Sequence, residues 1–187
     1  MQVGCQVQQP LVIAVAGVAG SGKSTLGRAL ARLLRVPMLD LDTLTNPLLD
    51  RLGDDVFAGH WLSSVHAGAV RQGRYAALAA TAAEVLQTTA GVVLVAPFTR
   101  ELAGGEEWQA LLAGVAPVPV SVVHLVGDSA LFAARRAARG QVRDLHRPST
   151  TVPTEVAVPA LPVDARLTPG RQLRQVACEL GLDVPST

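Results

Sequence analysis

Leu11-Val12-Ile13-Ala14-Val15-Ala16-Gly17-Val18-Ala19-Gly20-Ser21-Gly22-Lys23-Ser24-Thr25-Leu26 is the stretch whose reading decides the fold. It opens as an apolar, β-rich run, bends through glycines, and continues with Leu26, Leu30, Leu33 and Leu34 at helical spacing. Gly17 to Ser24 satisfies G-x-x-x-x-G-K-[ST], in the strand, loop and helix context that this pattern requires. A turn that wraps an anion needs residues without a Cβ where the backbone bends towards the charge, and Gly17, Gly20 and Gly22 supply them. The N–H groups of residues 20 to 25 would then face phosphate oxygens at the positive end of a helix starting near Lys23. A nucleotide site is therefore expected at Gly17, Gly20, Ser21, Gly22, Lys23, Ser24 and Thr25. Lys23 would reach the β- and γ-phosphates, Ser24 would ligate Mg²⁺, and Thr25 would bond the α-phosphate.

Composition supports this reading of the lysine. The chain has 15 arginines and one lysine, and the lysine is Lys23. A slender ammonium stands where a planar guanidinium would not thread the loop.

At 187 residues the chain suits one α/β domain. Hydrophobic residues make up 49% and charged residues 17%, which argues against disorder over most of the length. A net charge of +1 and 3% aromatics give neither the electrostatics nor the stacking platforms of a nucleic-acid binder. Cys5 and Cys178 lie near opposite ends with no metal spacing, as reduced thiols of a cytosolic protein would. Met1 to Pro10 has no basic leader region, and the apolar run after it is too short for a membrane span. Residues 1–9 are expected to be a flexible tail, residues 10–187 a single domain, and the location cytoplasmic.

Val36 to Asp42 reads as a second strand ending in carboxylates, and Leu44 to Leu52 as a short helix broken by Gly53-Asp54-Asp55. Residues 56–70 and Arg71 to Leu86 read as helical. Gly91 to Ala96 is a continuous apolar run, as expected of a strand buried on both faces. Glu106 to Leu112 is a helix, Pro119 to Val126 a strand, and Asp128 caps a helix running to Ala138. A proline-rich connection follows. Leu161 to Val163 forms a last strand, and a helix opens at Thr168-Pro169 and stops at Gly181. Strands alternating with helices give a parallel sheet covered on both sides, an α/β fold.

Four groups bear on what happens to the phosphate. Asp40 and Asp42, placed on one face of the second strand by alternation, would serve the metal shell and the acceptor hydroxyl respectively. Arg135, Arg136, Arg139 and Arg143 step along a helix before the proline-rich segment; Arg135 is assigned to the nucleotide and Arg139 to the moving phosphoryl. Arg71 and Arg74, with Tyr75 beside them, and Arg100 after the third strand would hold an anionic or polyhydroxylated acceptor. Pro97, Phe98 and Trp61 would give the acceptor an apolar wall. The histidines show no ligand spacing, and His124 is expected to be a core or sheet-end residue.

With these residues in view, the chain resembles the P-loop small-molecule kinases, the group of shikimate kinase, gluconate kinase and chloramphenicol phosphotransferase. Asp42-Thr43-Leu44 is similar to the Asp-Ser-Leu that carries the proposed base in chloramphenicol phosphotransferase. Asp40 and Asp42 resemble the paired aspartates at the end of shikimate kinase's second strand. Arg135-Arg136-Ala137-Ala138-Arg139-Gly140 resembles the start of the family's lid, and Val163-Asp164 the strand end near the adenine. The resemblance implies a three-layer P-loop NTPase fold whose five-stranded parallel sheet runs in order 2-3-1-4-5, with a lid over about 135–160. It also implies ATP and Mg²⁺ as cofactors. Ala96-Pro97-Phe98 departs from the acidic pair or glycine run that several relatives have at the end of the third strand.

These readings converge on a phosphotransferase moving the γ-phosphate of ATP to a hydroxyl of a small metabolite or antibiotic-like molecule. A nucleotide-binding switch or accessory ATPase is the alternative from another class, and a nucleoside or nucleotide kinase differs only in its acceptor.

Overall fold

The structure, a computed structural model, describes residues 10–57, 60–139 and 155–182, the side chains of Asp54 and Arg139 excepted. The expected flexible tail and most of the expected lid, with Arg143, lie outside the described residues.

The chain runs β1 (Leu11–Ala16), α1 (Lys23–Leu34), β2 (Met38–Asp40), α2 (Leu41–Phe57), α3 (Ala67–Leu86) and β3 (Gly91–Val95). A 3-10 turn (Glu101–Ala103) leads to α4 (Glu106–Val115), β4 (Val120–Val126), α5 (Ser129–Arg139), β5 (Leu161–Asp164) and α6 (Pro169–Glu179). The five strands pair in parallel in the order β2-β3-β1-β4-β5. The order and the α/β class match the expectation.

Alternation along the strands divides the core into two layers. Val12, Ala14 and Ala16 of β1 pack with Val92 and Leu94 of β3 against Leu78 and Ala82 of α3 and Leu111 and Val115 of α4. Ile13 and Val15 pack with Val93, Val95 and Val123 against Leu26 and Leu30 of α1, Phe132 of α5 and Val176 of α6. β1 thus lies at the centre of the sheet with both faces covered. Its carboxyl end opens between β3 and β4, where the strand order reverses, and loops at such a switch point line a crevice. The described residues include no helix long and apolar enough to cross a membrane.

Three sequence expectations change here. β2 ends at Asp40, and Asp42 sits in the first turn of α2 instead of on the strand. The cause is local: Asp40 Oδ1 accepts the backbone N–H groups of Asp42 and Thr43 at 3.0 and 3.3 Å, so the carboxylate ending the strand also starts the helix. In α2, Gly53 takes a non-helical conformation (φ 41°, ψ −139°), so the expected break is a kink, and helix resumes as far as Phe57. Turns, and not helix, occupy residues 61–66.

Leu49, Phe57 and Trp61 form a small separate core where α2 meets α3, and the Trp61 indole N–H donates to Asp50 at 3.0 Å. Trp61 is 4% exposed and Phe98 1%, so neither offers the apolar wall expected of them; both are spent on internal packing.

Candidate active site

The loop between β1 and α1 is assembled from both sides. Gly20 (φ 88°) has no room for a side chain: a Cβ there would lie 2.5 Å from the Phe132 carbonyl oxygen, so this glycine lets α5 close against the loop. Gly22 (φ 96°) faces the open side, where a Cβ would meet only Arg135 Nη1, 4.0 Å away. Of these two glycines, it is Gly22 that leaves space for a ligand against the backbone at the N-terminus of α1. Ser21 Oγ is fully buried under Gly17 and has no hydrogen-bond partner among the described residues. An unsatisfied buried hydroxyl costs stability, and such costs concentrate where a loop is shaped for a ligand.

Lys23 Nζ donates to the Val18 carbonyl at 3.4 Å, which lays the ammonium along the loop. Ser24 Oγ donates to Asp40 Oδ2 at 2.7 Å. Asp40 therefore joins two parts with one carboxylate: Ser24 on one oxygen, and the start of the helix bearing Asp42 on the other. Thr25 is exposed at the head of α1.

α5 touches the loop as well. Arg136 Nη1 donates to the Ala19 carbonyl at 2.9 Å, and Arg135 Nη2 donates to the Ala165 carbonyl just past β5 at 2.9 Å. Arg135 thus spans from the end of β5 to the space beside Gly22. The side chain of Arg139, the last residue of α5, lies outside the described residues.

Where an acceptor was expected, Arg74 of α3 reaches α2: Nη2 donates to Asp42 Oδ1 at 2.7 Å and Asn46 at 2.9 Å, and Nε to Thr45 at 2.7 Å. Its guanidinium stacks 4.7 Å from the Trp61 ring centre. Arg71, one turn earlier, donates to both oxygens of Glu101 at 2.8 Å and lies 4.4 Å over Tyr75. The Tyr75 hydroxyl accepts the Phe98 N–H at 3.0 Å, which secures a residue with φ 50° after β3. Burial, with the Glu101 charge second, pushes the Tyr75 phenol well above its ordinary value. Arg100 is exposed and pairs with Glu107 at 3.4 Å. The three arginines expected to hold an acceptor are thus each met by a carboxylate. Thr45, Asn46 and Glu101 were not singled out by sequence; a Glu following an apolar strand and its connecting turn was the available signal.

His124 lies in β4 between Ala16 and Pro162, half-buried, and burial lowers the tendency of its imidazole to take a proton. Among the described residues, no group of three or more His, Cys, Asp or Glu is placed to hold a metal ion. The Ser24 and Asp40 oxygens suit a hard cation that brings its own waters and is completed by phosphate oxygens.

A family model described as an AAA domain matches residues 12–157. A cytidylate kinase from Pyrobaculum arsenaticum is 40% identical over 50 residues; that match spans only about a quarter of either protein, 27% of each. Among solved structures, a gluconokinase from Sinorhizobium meliloti 1021 superposes with a TM-score of 0.61 at 23% identity, covering 93% of both chains. The APS kinase of Mycobacterium tuberculosis in complex with AMPPNP and APS superposes with a TM-score of 0.63 at 20% identity, covering 92% of this chain and 98% of that one. These likenesses establish the fold of the P-loop kinases.

Proposed function

The chain belongs to the AAA-domain family, and from that premise we propose that it is an ATP-dependent phosphotransferase acting on a hydroxyl of a small molecule. One observation carries the proposal. Asp40 bridges Ser24 of the phosphate loop, at 2.7 Å, to the backbone of Asp42, at 3.0 Å, so one carboxylate ties the start of the helix that bears Asp42 to the loop. A motor or switch has no need of an acceptor-side carboxylate held in this way; a kinase does.

In this reading the N–H groups at the start of α1 hold the polyphosphate, and Lys23 turns from the Val18 carbonyl to the β- and γ-oxygens. Mg²⁺, when bound, would be held by Ser24 with Asp40 behind it and would neutralise charge on those oxygens. The acceptor oxygen approaches the γ-phosphorus from the side of Asp42. A P–O bond forms to the acceptor as the bond to ADP breaks, and the hydroxyl proton passes to an Asp42 oxygen. Arg74 fixes that carboxylate through its short pair with Oδ1. Loss of one charge that stabilises the moving phosphoryl raises the barrier by about 2.7–4 kcal/mol, by analogy with removal of an oxyanion-hole donor.

The test is ADP release from ATP and Mg²⁺ with and without hydroxylated candidates. Release that rises with one of them and is lost in Lys23→Ala supports the proposal. Acceptor-independent hydrolysis, unchanged by every candidate, favours the accessory ATPase. The short likeness to cytidylate kinase supports a nucleoside or nucleotide acceptor as a second reading. A cytoplasmic location remains part of the proposal, to be checked by fractionation.

A further inference from the structure

Cations near the acceptor would select its charge, and among the described residues of this region none of the three arginines is left to do so. Arg71 donates to both carboxylate oxygens of Glu101, whose side chain is 2% exposed. Arg74 is shared by Asp42, Thr45 and Asn46 and covered by Trp61. Arg100 is drawn to Glu107. Beside these pairs a cleft of about 390 Å³ opens between α3 and α4, and its charged lining is Arg71 with Glu101, Glu106 and Glu107.

Resting on the phosphotransfer reading above, we infer that the acceptor is an alcohol without an anionic group, either uncharged or amine-bearing, and that Glu101 sets this selection. A carboxylate or phosphate reaching Arg71 would displace Glu101, and Glu101 has nowhere to go. The 3-10 turn that carries it is held by Leu102 N–H to the Phe98 carbonyl at 2.9 Å and Gly104 N–H to the Glu101 carbonyl at 3.1 Å. Its neighbour Leu102 is fully buried. A buried carboxylate stripped of its guanidinium is strongly unfavourable, so the exchange opposes anion binding. At Arg74 an anion would compete with the very carboxylate that receives the proton. Glu106 and Glu107 at the head of α4 add repulsion, and Glu107 is kept ionised by its own backbone N–H. An ammonium meets no such opposition.

The inference is tested with matched compounds: glucose, glucosamine and gluconate, and deoxycytidine with deoxycytidine monophosphate. Each is assayed for ADP release and titrated by thermal shift into protein saturated with AMPPNP and Mg²⁺. Gluconate and the monophosphate are expected to leave the melting temperature unmoved, with kcat/KM at least about tenfold below their uncharged or amine counterparts. Glu101→Gln, which leaves Arg71 uncompensated, should gain saturable binding of both anions. Saturable binding of either anion by the wild-type protein, or turnover equal to its counterpart, overturns the inference. That comparison needs no variant to fold. A protein without any response to AMPPNP would lose the phosphotransfer reading alone; anion titration of Lys23→Ala, whose loop has lost its ammonium, then decides charge selection, with binding that Glu101→Gln strengthens no further again the contrary result.

Discussion

Arg74 Nη2 lies 2.7 Å from Asp42 Oδ1, and both side chains are nearly closed off from solvent, at 11% and 14% exposure. The pair ties α3 to the first turn of α2, so the Asp42 carboxylate is oriented from a helix that begins 25 residues after it in the chain (Ala67 against Asp42). Replacing Arg74 removes three hydrogen bonds and leaves Asp42 with one partner fewer.

Arg74→Met should therefore destabilise the fold by roughly 1.5–3 kcal/mol, the range for a hydrogen bond to a charged group. Urea denaturation measures it. Arg74→Lys should recover only part of that loss, because a lysine cannot reproduce the fork that serves Asp42, Asn46 and Thr45 together. Equal stability of Lys and Arg proteins would contradict the geometry.

Tyr75 is the chain's single tyrosine, so its ionisation is read cleanly from absorbance. Its folded pKa is raised above the unfolded value of about 10, which makes the folded protein hold the proton longer. The stability contribution is thus fully present below pH ~10 and falls as pH rises towards the folded value. Native protein should show no tyrosinate signal at pH ~10.5, where the urea-unfolded chain is more than half ionised. Tyr75→Phe should flatten that alkaline fall and cost about 1–3 kcal/mol through the orphaned Phe98 N–H.

Gly20 and Gly22 both adopt positive φ, but only Gly20 is walled in by backbone. Gly20→Ala should lower the melting temperature more than Gly22→Ala, since it adds a clash with the Phe132 carbonyl to the strain that both share. Gly22→Ala should have the larger effect on AMPPNP affinity, because its Cβ enters the side left open to a ligand. A calorimetric scan and a titration separate the two effects.

Much of this was legible in the chain. The loop from Gly17 to Thr25 announces itself because glycine spacing, a preceding apolar strand and a following helix are local properties. The unbroken apolar runs Val12 to Ala16 and Val92 to Val95 likewise foretell a sheet covered on both faces. Asp42 was misplaced because the strand's end depends on Asp40 folding back to accept two N–H groups, an event that alternation does not encode. Arg71, Arg74 and Arg100 were read as cations available to an acceptor. Arg71's partner in the fold, Glu101, lies 30 residues away in sequence, and Arg74's partners, Asp42, Thr45 and Asn46, lie 32, 29 and 28 away; helix packing, not spacing, joins them. Only Arg100's partner, Glu107, is close by in sequence.

The most direct test of phosphotransfer from the mouth of this loop is ADP release in Asp42→Asn, with a supporting acceptor, alongside AMPPNP titration. The structure leads us to expect turnover at least about a hundredfold lower, as for loss of a positioned proton acceptor, with nucleotide affinity essentially unchanged. Turnover close to that of the wild-type protein would contradict the account.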